Sequence, residues 1–160
     1  MAVISEDLSV DIDDSDFRRY FAERKDFKRA IEQLLARIGT RGEGIMMRHA
    51  PADRGFLRSK ISARMISATR MTIAPRDVPY ADIPITGTYP FTPPLDPIKR
   101  WARRHGLEGG AVWHNIRTSG IQSAEESKYR VDYAKETAKE LKRPADRLAR
   151  DTISKWVRRT

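Results

Sequence analysis

The spacing of apolar residues changes along this chain, and the change limits the folds it can adopt. Early in the chain, apolar side chains recur every three or four residues, which places them on one stripe of a helix. This stripe comprises Phe17, Tyr20, Phe21, Phe27, Ile31, Leu34, Leu35 and Ile38. From Leu57 to Met65 apolar residues recur every second position instead, as on the buried face of a strand. A long helix followed by strands is therefore predicted.

The end of the first helix depends on three glycines in the stretch GTRGEG, residues 39–44. Gly39, Gly42 and Gly44 each lower helix propensity by about 1 kcal/mol relative to alanine. Two outcomes are open: the helix breaks at the glycines, or it continues to His49 with the glycines packed closely against a neighbour. Pro51 ends it in either case.

The middle of the chain predicts a small antiparallel sheet over residues 56–88. The alternating stretch 57–65 is its first strand, and residues 69–75 and 78–86 are shorter candidates. Pro79 and Pro84 cannot donate to a ladder, so the last candidate is expected at an edge or a bulge.

Helical patterns return after residue 95. Asp96 as N-cap and Gly106 beyond the end delimit a basic helix over 97–105, and Gly120 closes another over 111–119. Ser123 and Glu126 have capping-box spacing ahead of a further helix, whose stripe is Tyr129, Tyr133, Ala134, Ala138 and Leu141. Pro144 is expected to restart the chain before a final amphipathic helix ending near residue 157.

The predicted fold class is α+β, with a long N-terminal helix, a small antiparallel β-sheet and several C-terminal helices. Residues 1–16, rich in aspartate, are expected to form a mobile acidic arm, and residues 17–160 a single domain. No apolar run reaches the roughly 18 residues of a membrane span. The N-terminus lacks the basic-then-apolar order of a secretory signal, and the chain has no cysteine. We therefore expect synthesis in a reducing cytoplasm and no membrane partner.

Charge is concentrated in the C-terminal part. The chain carries a net charge of +9, and residues 97–160 hold sixteen Lys/Arg against eight Asp/Glu. Such a surface attracts polyanions, although basic residues that alternate with acidic ones also simply solvate helices. The candidate DNA-facing residues are Arg100, Arg103, Arg104, Arg158 and Arg159. A basic nucleic-acid-binding module of a mobile element is therefore one functional alternative, although no known nucleic-acid-binding motif is present.

Catalytic motifs are missing from the sequence. The three histidines have no second metal-type ligand at helical spacing, and neither a nucleophile elbow nor a phosphate-binding glycine loop is present. Asp53, Asp77 and Asp82 would have to cluster to hold a nuclease metal, whereas single acids in turns are usually caps. The expectation is a protein that is not an enzyme and uses no cofactor or metal.

Three blocks of sequence follow one another in a recognisable order. The first block is APADRGFLRSKI, residues 50–61, in which Gly55 can adopt positive φ. The second and third supply Tyr80, Ala81, Gly87, Thr88, Pro93, Pro94, Ile98, Trp101, Gly106 and Leu107, and RPA at 143–145 follows. Together the blocks resemble the tail-component family of long-tailed phages typified by Hong Kong 97, whose members work at the head–tail junction. Pro84 and Ile85 depart from the valine and glutamate that are usual in that family.

The resemblance implies a structural virion protein of the tail or neck, acting as a tail terminator, tail completion protein or head–tail connector. It implies a homo-oligomeric ring, with six copies as in similar tail proteins. The ring would contact the tail tube and the head connector or stopper, and genomic DNA would pass through it without sequence-specific binding.

The proline-rich stretch 86–95 is the predicted interface arm, with the 97–105 helix as its foot. Prolines reduce the entropy lost when a loop is ordered against a partner, and Tyr89 and Phe91 are residues of the kind enriched at interfaces. The interface candidates are Thr86, Gly87, Thr88, Tyr89, Phe91, Pro93 and Pro94. The alternative is that Phe91 and Trp101 only pin the loop to the core of its own subunit.

Overall fold

The computed structural model describes residues 8–11, 25–127 and 131–158. The chain divides into two compact units within the range expected to be one domain. The first comprises Met1–Val78 with Tyr133–Thr160, and the second comprises Pro79–Asp132. The predicted α+β class, with a long N-terminal helix, a small antiparallel sheet and several later helices, is confirmed.

Helix α1 spans Lys25–His49 without a break at the glycines. Phe27, Ile31 and the leucines of the predicted stripe are buried, while Phe17, Tyr20 and Phe21 lie outside the described residues. A β-carbon added to Gly39 would lie 2.8 Å from that of Ala63, so only glycine lets the sheet approach this closely. Close packing therefore offsets the low helix propensity of Gly39 and Gly42, whereas a β-carbon on Gly44 would meet no atom within 4 Å. The helix continues to His49, which is the second of the two expected outcomes.

Helix α6 spans Tyr133–Val157 and runs antiparallel to α1. The Trp156 and Phe27 rings lie 4.6 Å apart at one end, and at the other Glu140 accepts a hydrogen bond from His49 Nε2 at 2.9 Å. The expected restart at Pro144 is wrong, because this residue lies inside the helix. Packing on α1 both before and after the proline compensates for the lost backbone hydrogen bond.

The sheet has three antiparallel strands in the order β1-β3-β2. They are β1 (Leu8–Asp11), β2 (Ile61–Met65) and β3 (Arg70–Pro75). In the central strand β3, Ile73 lies opposite Leu8 of β1 on one side and opposite Ala63 of β2 on the other. The strand predicted over 69–75 is confirmed. Residues 8–11 of the expected mobile arm instead form an edge strand of the sheet.

Two of the predicted strand stretches are partly helical. Residues Phe56–Ser59 form the single-turn helix α2, which Gly55 starts with φ 75°, so the strand begins only at Ile61. Residues Ile83–Thr86 form another single turn, α3, with Pro84 in its first turn. Proline suits the start of a helix better than a ladder, and the alternating pattern alone did not reveal this.

The second unit consists of α3, α4 (Leu95–Arg104) and α5 (Gly109–Ser119). Helix α4 begins two residues earlier than predicted, with Pro94 at the N-cap position and Asp96 in the first turn. Gly106 and Gly120 lie beyond the helix ends, as predicted, and both have positive φ. The capping-box bonds between Ser123 and Glu126 form, but the residues around them make a turn and not the start of a helix.

Candidate protein interface

Residues 87–94, here called the aromatic loop, connect α3 to α4 and are fixed to the end of α5 by backbone hydrogen bonds. The Thr88 amide donates to the Ile121 carbonyl at 2.8 Å. In return, the Ile121 amide donates to the Thr88 carbonyl at 3.3 Å and lies 3.1 Å from Thr88 Oγ1. This pair forms an isolated antiparallel bridge, which we call the clamp. It orders the base of the loop without a strand on either side.

Two glycines allow the clamp to close. Gly87 has φ 72° and ψ −165°, and Gly120 has φ 76° and ψ −161°, a region that essentially only glycine adopts. A β-carbon on Gly87 would lie 2.7 Å from the Ser123 nitrogen, and one on Gly120 would lie 2.8 Å from the carbonyl carbon of Tyr89. The two backbone segments are therefore too close for any side chain at these positions.

The far end of the loop is held by an indole. Trp113 Nε1 on α5 donates to the Pro93 carbonyl at 2.8 Å, and Pro93 itself is buried. The Arg117 guanidinium lies 5.3 Å from the centre of the Trp113 ring, within the range of a cation–π contact. The loop is thus anchored at both ends to α5 and the residues that follow it.

Between these anchors the aromatic side chains point outward. Tyr89 is 92% exposed and Phe91 is 43% exposed. The Phe91 amide lies 3.5 Å from the Ile116 carbonyl, so its backbone follows α5 even though its ring is partly in solvent. Trp101 on α4 is half-buried and stacks on His105 with ring centres 4.5 Å apart.

The remaining interface candidates have structural roles. Thr86 is exposed, and its hydroxyl donates to the Asp82 carbonyl at 3.0 Å at the end of α3. Pro94 is exposed and sets the start of α4. The structure therefore brings the predicted candidates into one loop and separates them into anchors, chiefly Gly87, Thr88 and Pro93, and a projecting ring, Tyr89.

An apolar groove in the same unit was not predicted from the sequence. It has a volume of about 620 Å³ and lies between α4 and α5, with its lining continued by the residues after α5. Its lining residues include Ile98, Trp101, Leu107, Val112, Ile116 and Ile121. Leu107 is 50% exposed. Helical spacing places Ile98 and Trp101 on one face of α4, and Val112 and Ile116 on one face of α5. Only the packing of the two helices brings the two pairs into one surface.

The N-terminus of α5 is capped by the Glu108 carboxylate. This carboxylate accepts a hydrogen bond from the Gly110 amide at 2.9 Å and another from the Ala111 amide. The bond from Gly110, followed by the one from Ala111, lowers the pKa of Glu108 below its ordinary value. A β-carbon on Gly109 would lie 2.9 Å from the Lys99 α-carbon, so α5 approaches α4 closely at this point.

The predicted basic residues lie on different parts of the chain. Arg100, Arg103 and Arg104 are exposed on α4, and Arg104 Nη1 donates to the Arg100 carbonyl at 3.2 Å. Arg158 is exposed beyond the end of α6, in the other unit, and Arg159 lies outside the described residues. Of the five predicted residues, the structure therefore shows only the three arginines of α4 on the same helix.

The acids considered for a nuclease metal lie in separate turns. Asp77 has φ 54° just after β3, while the Asp82 carbonyl accepts the amides of Ile85 and Thr86 at the start of α3. In the described part of the chain, no three His, Cys, Asp or Glu side chains are grouped so that they could hold a metal ion. None of the helices described is both long and apolar enough to cross a membrane.

Comparisons of the chain with protein-family models, curated proteins and solved structures gave no match. Function must therefore be inferred from the residues and their geometry.

Proposed function

We propose that this protein is a structural component of a phage virion at the head–tail junction, a tail terminator, tail completion protein or connector that acts by assembling into a ring. The observation that carries the proposal is the aromatic loop, which holds Tyr89 in solvent at 92% exposure while its backbone is clamped to α5. A large exposed ring on a preordered loop is suited to association, because little conformational entropy is lost on binding.

The order of the three sequence blocks supports the same proposal. Two of them supply parts of this interface, namely the glycine and threonine of the clamp and the prolines that lead into α4. In the proposed particle the ring caps the tail tube, meets the head connector or stopper, and surrounds the DNA channel. The protein is made in the host cytoplasm and ends in the virion.

The experiment is alanine substitution at Tyr89 and Phe91 together, followed by sizing and by a tail-assembly assay in extracts that lack this chain. We expect the variant to fold, to lose self-association, and to leave tails uncapped and particles non-infectious. Phe56→Ala is the control, since it removes from the other unit an aromatic ring whose exposure, 48%, is close to the 43% of Phe91. Unchanged assembly by the loop variant would remove the proposal.

A second candidate function, binding of nucleic acid, is favoured by the three exposed arginines on α4. Each phosphate contact that they make would add to the salt dependence of binding. Glutamine at Arg100, Arg103 and Arg104 should then shift elution from a duplex DNA column to lower salt. Tight retention of the unmodified protein above about 0.2 M salt would favour a dedicated binding module over a ring that DNA merely passes through.

A further inference from the structure

We propose that the Tyr89 ring of one copy inserts into the α4–α5 groove of a second copy. The inference rests on the proposed self-assembly and identifies the surface that receives the aromatic loop. It joins two features of the second unit that the described contacts leave open to solvent, namely a projecting aromatic ring and a concave apolar surface.

Tyr89 lies beside the groove of its own chain, but its ring is not part of the lining. Gly120 lines the groove, and its α-carbon lies so close to Thr88 and Tyr89 that no β-carbon would fit. The Tyr89 backbone is thus fixed against the groove's rim, while its side chain stays 92% exposed. A ring held in solvent in this way is available to another copy.

The groove has the chemistry that a tyrosine ring requires. Most of its lining is aliphatic or aromatic, which suits the ring faces. Asn115, Ser119 and Gln122 also line it and carry groups that can bond the phenol hydroxyl. Buried tyrosines usually satisfy their hydroxyl in this way, so the groove offers both parts of the contact.

A second copy is the occupant we infer, because ring and groove belong to the same polypeptide and are present in equal numbers. A contact between two different patches of one chain forms a two-fold dimer where it is reciprocal; where it is not, it continues from copy to copy and forms a ring if the rotation closes. One aromatic insertion buries about 150–250 Å², far below the roughly 1,200–2,000 Å² of a stable interface. Single contacts should therefore be weak and become stable only when many act together.

The chain contains no cysteine, so paired cysteines report this contact without background. Thr92, which is exposed in the aromatic loop, is the cysteine position on that side, so the Tyr89 ring is kept. Thr92→Cys protein is mixed with Leu107→Cys protein and treated with a short bis-maleimide at high protein concentration. We expect crosslinked heterodimers to form about tenfold faster than with the control pair, because residues in contact react at a raised effective concentration. The control pair is Thr92→Cys with Ile66→Cys, which places the partner cysteine at an exposed position, 57%, of the other unit.

Equal rates with Leu107→Cys and Ile66→Cys would overturn the inference. As a check independent of crosslinking, Tyr89→Phe should keep self-association and Leu107→Asp should abolish it, with circular dichroism confirming that both fold. If the Leu107→Asp and Tyr89→Ala proteins both still self-associate, the inference is also overturned.

The double variant Thr92→Cys/Leu107→Cys, which keeps Tyr89, separates this inference from the proposed function. A ladder of trimers and larger species supports both, whereas a product that stops at the dimer supports insertion into a second copy and contradicts the ring. Capped tails formed without any 92–107 crosslink would overturn the insertion and leave the head–tail role intact.

Discussion

Substitution of Gly120 by alanine is the sharpest test of the clamp. With φ 76° and ψ −161°, Gly120 lies in a backbone region where other residues cost about 1–3 kcal/mol. The new methyl would also overlap the Thr88 carbonyl oxygen and lie 2.8 Å from the Tyr89 carbonyl carbon. These neighbours are backbone atoms and cannot rotate away, so overpacking adds about 1–3 kcal/mol. The expected destabilisation of the loop is about 2–6 kcal/mol.

Gly106→Ala is the matched control in the same unit. Gly106 also has positive φ, 68°, but a β-carbon there meets no atom within 4 Å. Its cost is the left-handed backbone alone, about 1–2 kcal/mol. The destabilisation caused by Gly120→Ala in excess of that caused by Gly106→Ala measures how closely the two backbone segments approach.

Hydrogen exchange of the Thr88 and Ile121 amides is the direct assay, because these amides make the clamp's hydrogen bonds. In Gly120→Ala their protection should fall by at least about tenfold relative to Gly106→Ala, the factor that corresponds to 1.4 kcal/mol. The melting temperature should fall as well. Equal protection of these amides in the two variants would refute the close approach, and with it the basis for calling the loop preordered.

Three further predictions concern the anchors and the helix pair. Gly44→Ala should raise the free energy of unfolding by about 1 kcal/mol through helix propensity. Gly42→Ala, whose methyl would meet buried side chains, should be about 1–3 kcal/mol less stable than Gly44→Ala. An equal rise in the melting temperatures of the two variants would contradict the packing around Gly42. Glu140→Gln should lower the melting temperature near neutral pH, since bonds from His49 and then Arg48 lower the carboxylate pKa below its ordinary 4.5. A carboxylate whose pKa is lowered on folding stabilises the fold above pH 4.5, and this effect is lost as the pH falls through its pKa in the folded state. The melting temperatures of the unmodified protein and of Glu140→Gln should therefore converge in acid and not in base. Trp113→Phe removes the hydrogen bond to a buried proline carbonyl and should cost about 1–2 kcal/mol in chemical denaturation; no loss would mean that this anchor is dispensable.

Features that depend on near neighbours could be predicted from the sequence. Helical spacing predicted the buried face of α1, a short stretch that ends at a proline predicted β3, and glycines predicted where α4 and α5 end. These signals are local because backbone propensity and periodicity act within a few turns of chain. A loop before α4 could be predicted for the same reason, since prolines restrict their own backbone wherever they occur, whereas two alternatives stayed open for its aromatic rings.

Features that depend on distant residues required the packed structure. Helix α1 crosses its glycines with Gly39 packed against the sheet and Gly42 packed against the sheet and α6, and α6 crosses Pro144 while packed along α1. Packing here outweighs a local propensity cost of about 1–3 kcal/mol. The clamp joins Thr88 to Ile121, and the groove combines residues from 98 to 122, so neither has a signature in any short window. Spacing in sequence limits which residues can share a face, but which faces meet is settled by the free energy of burying them together.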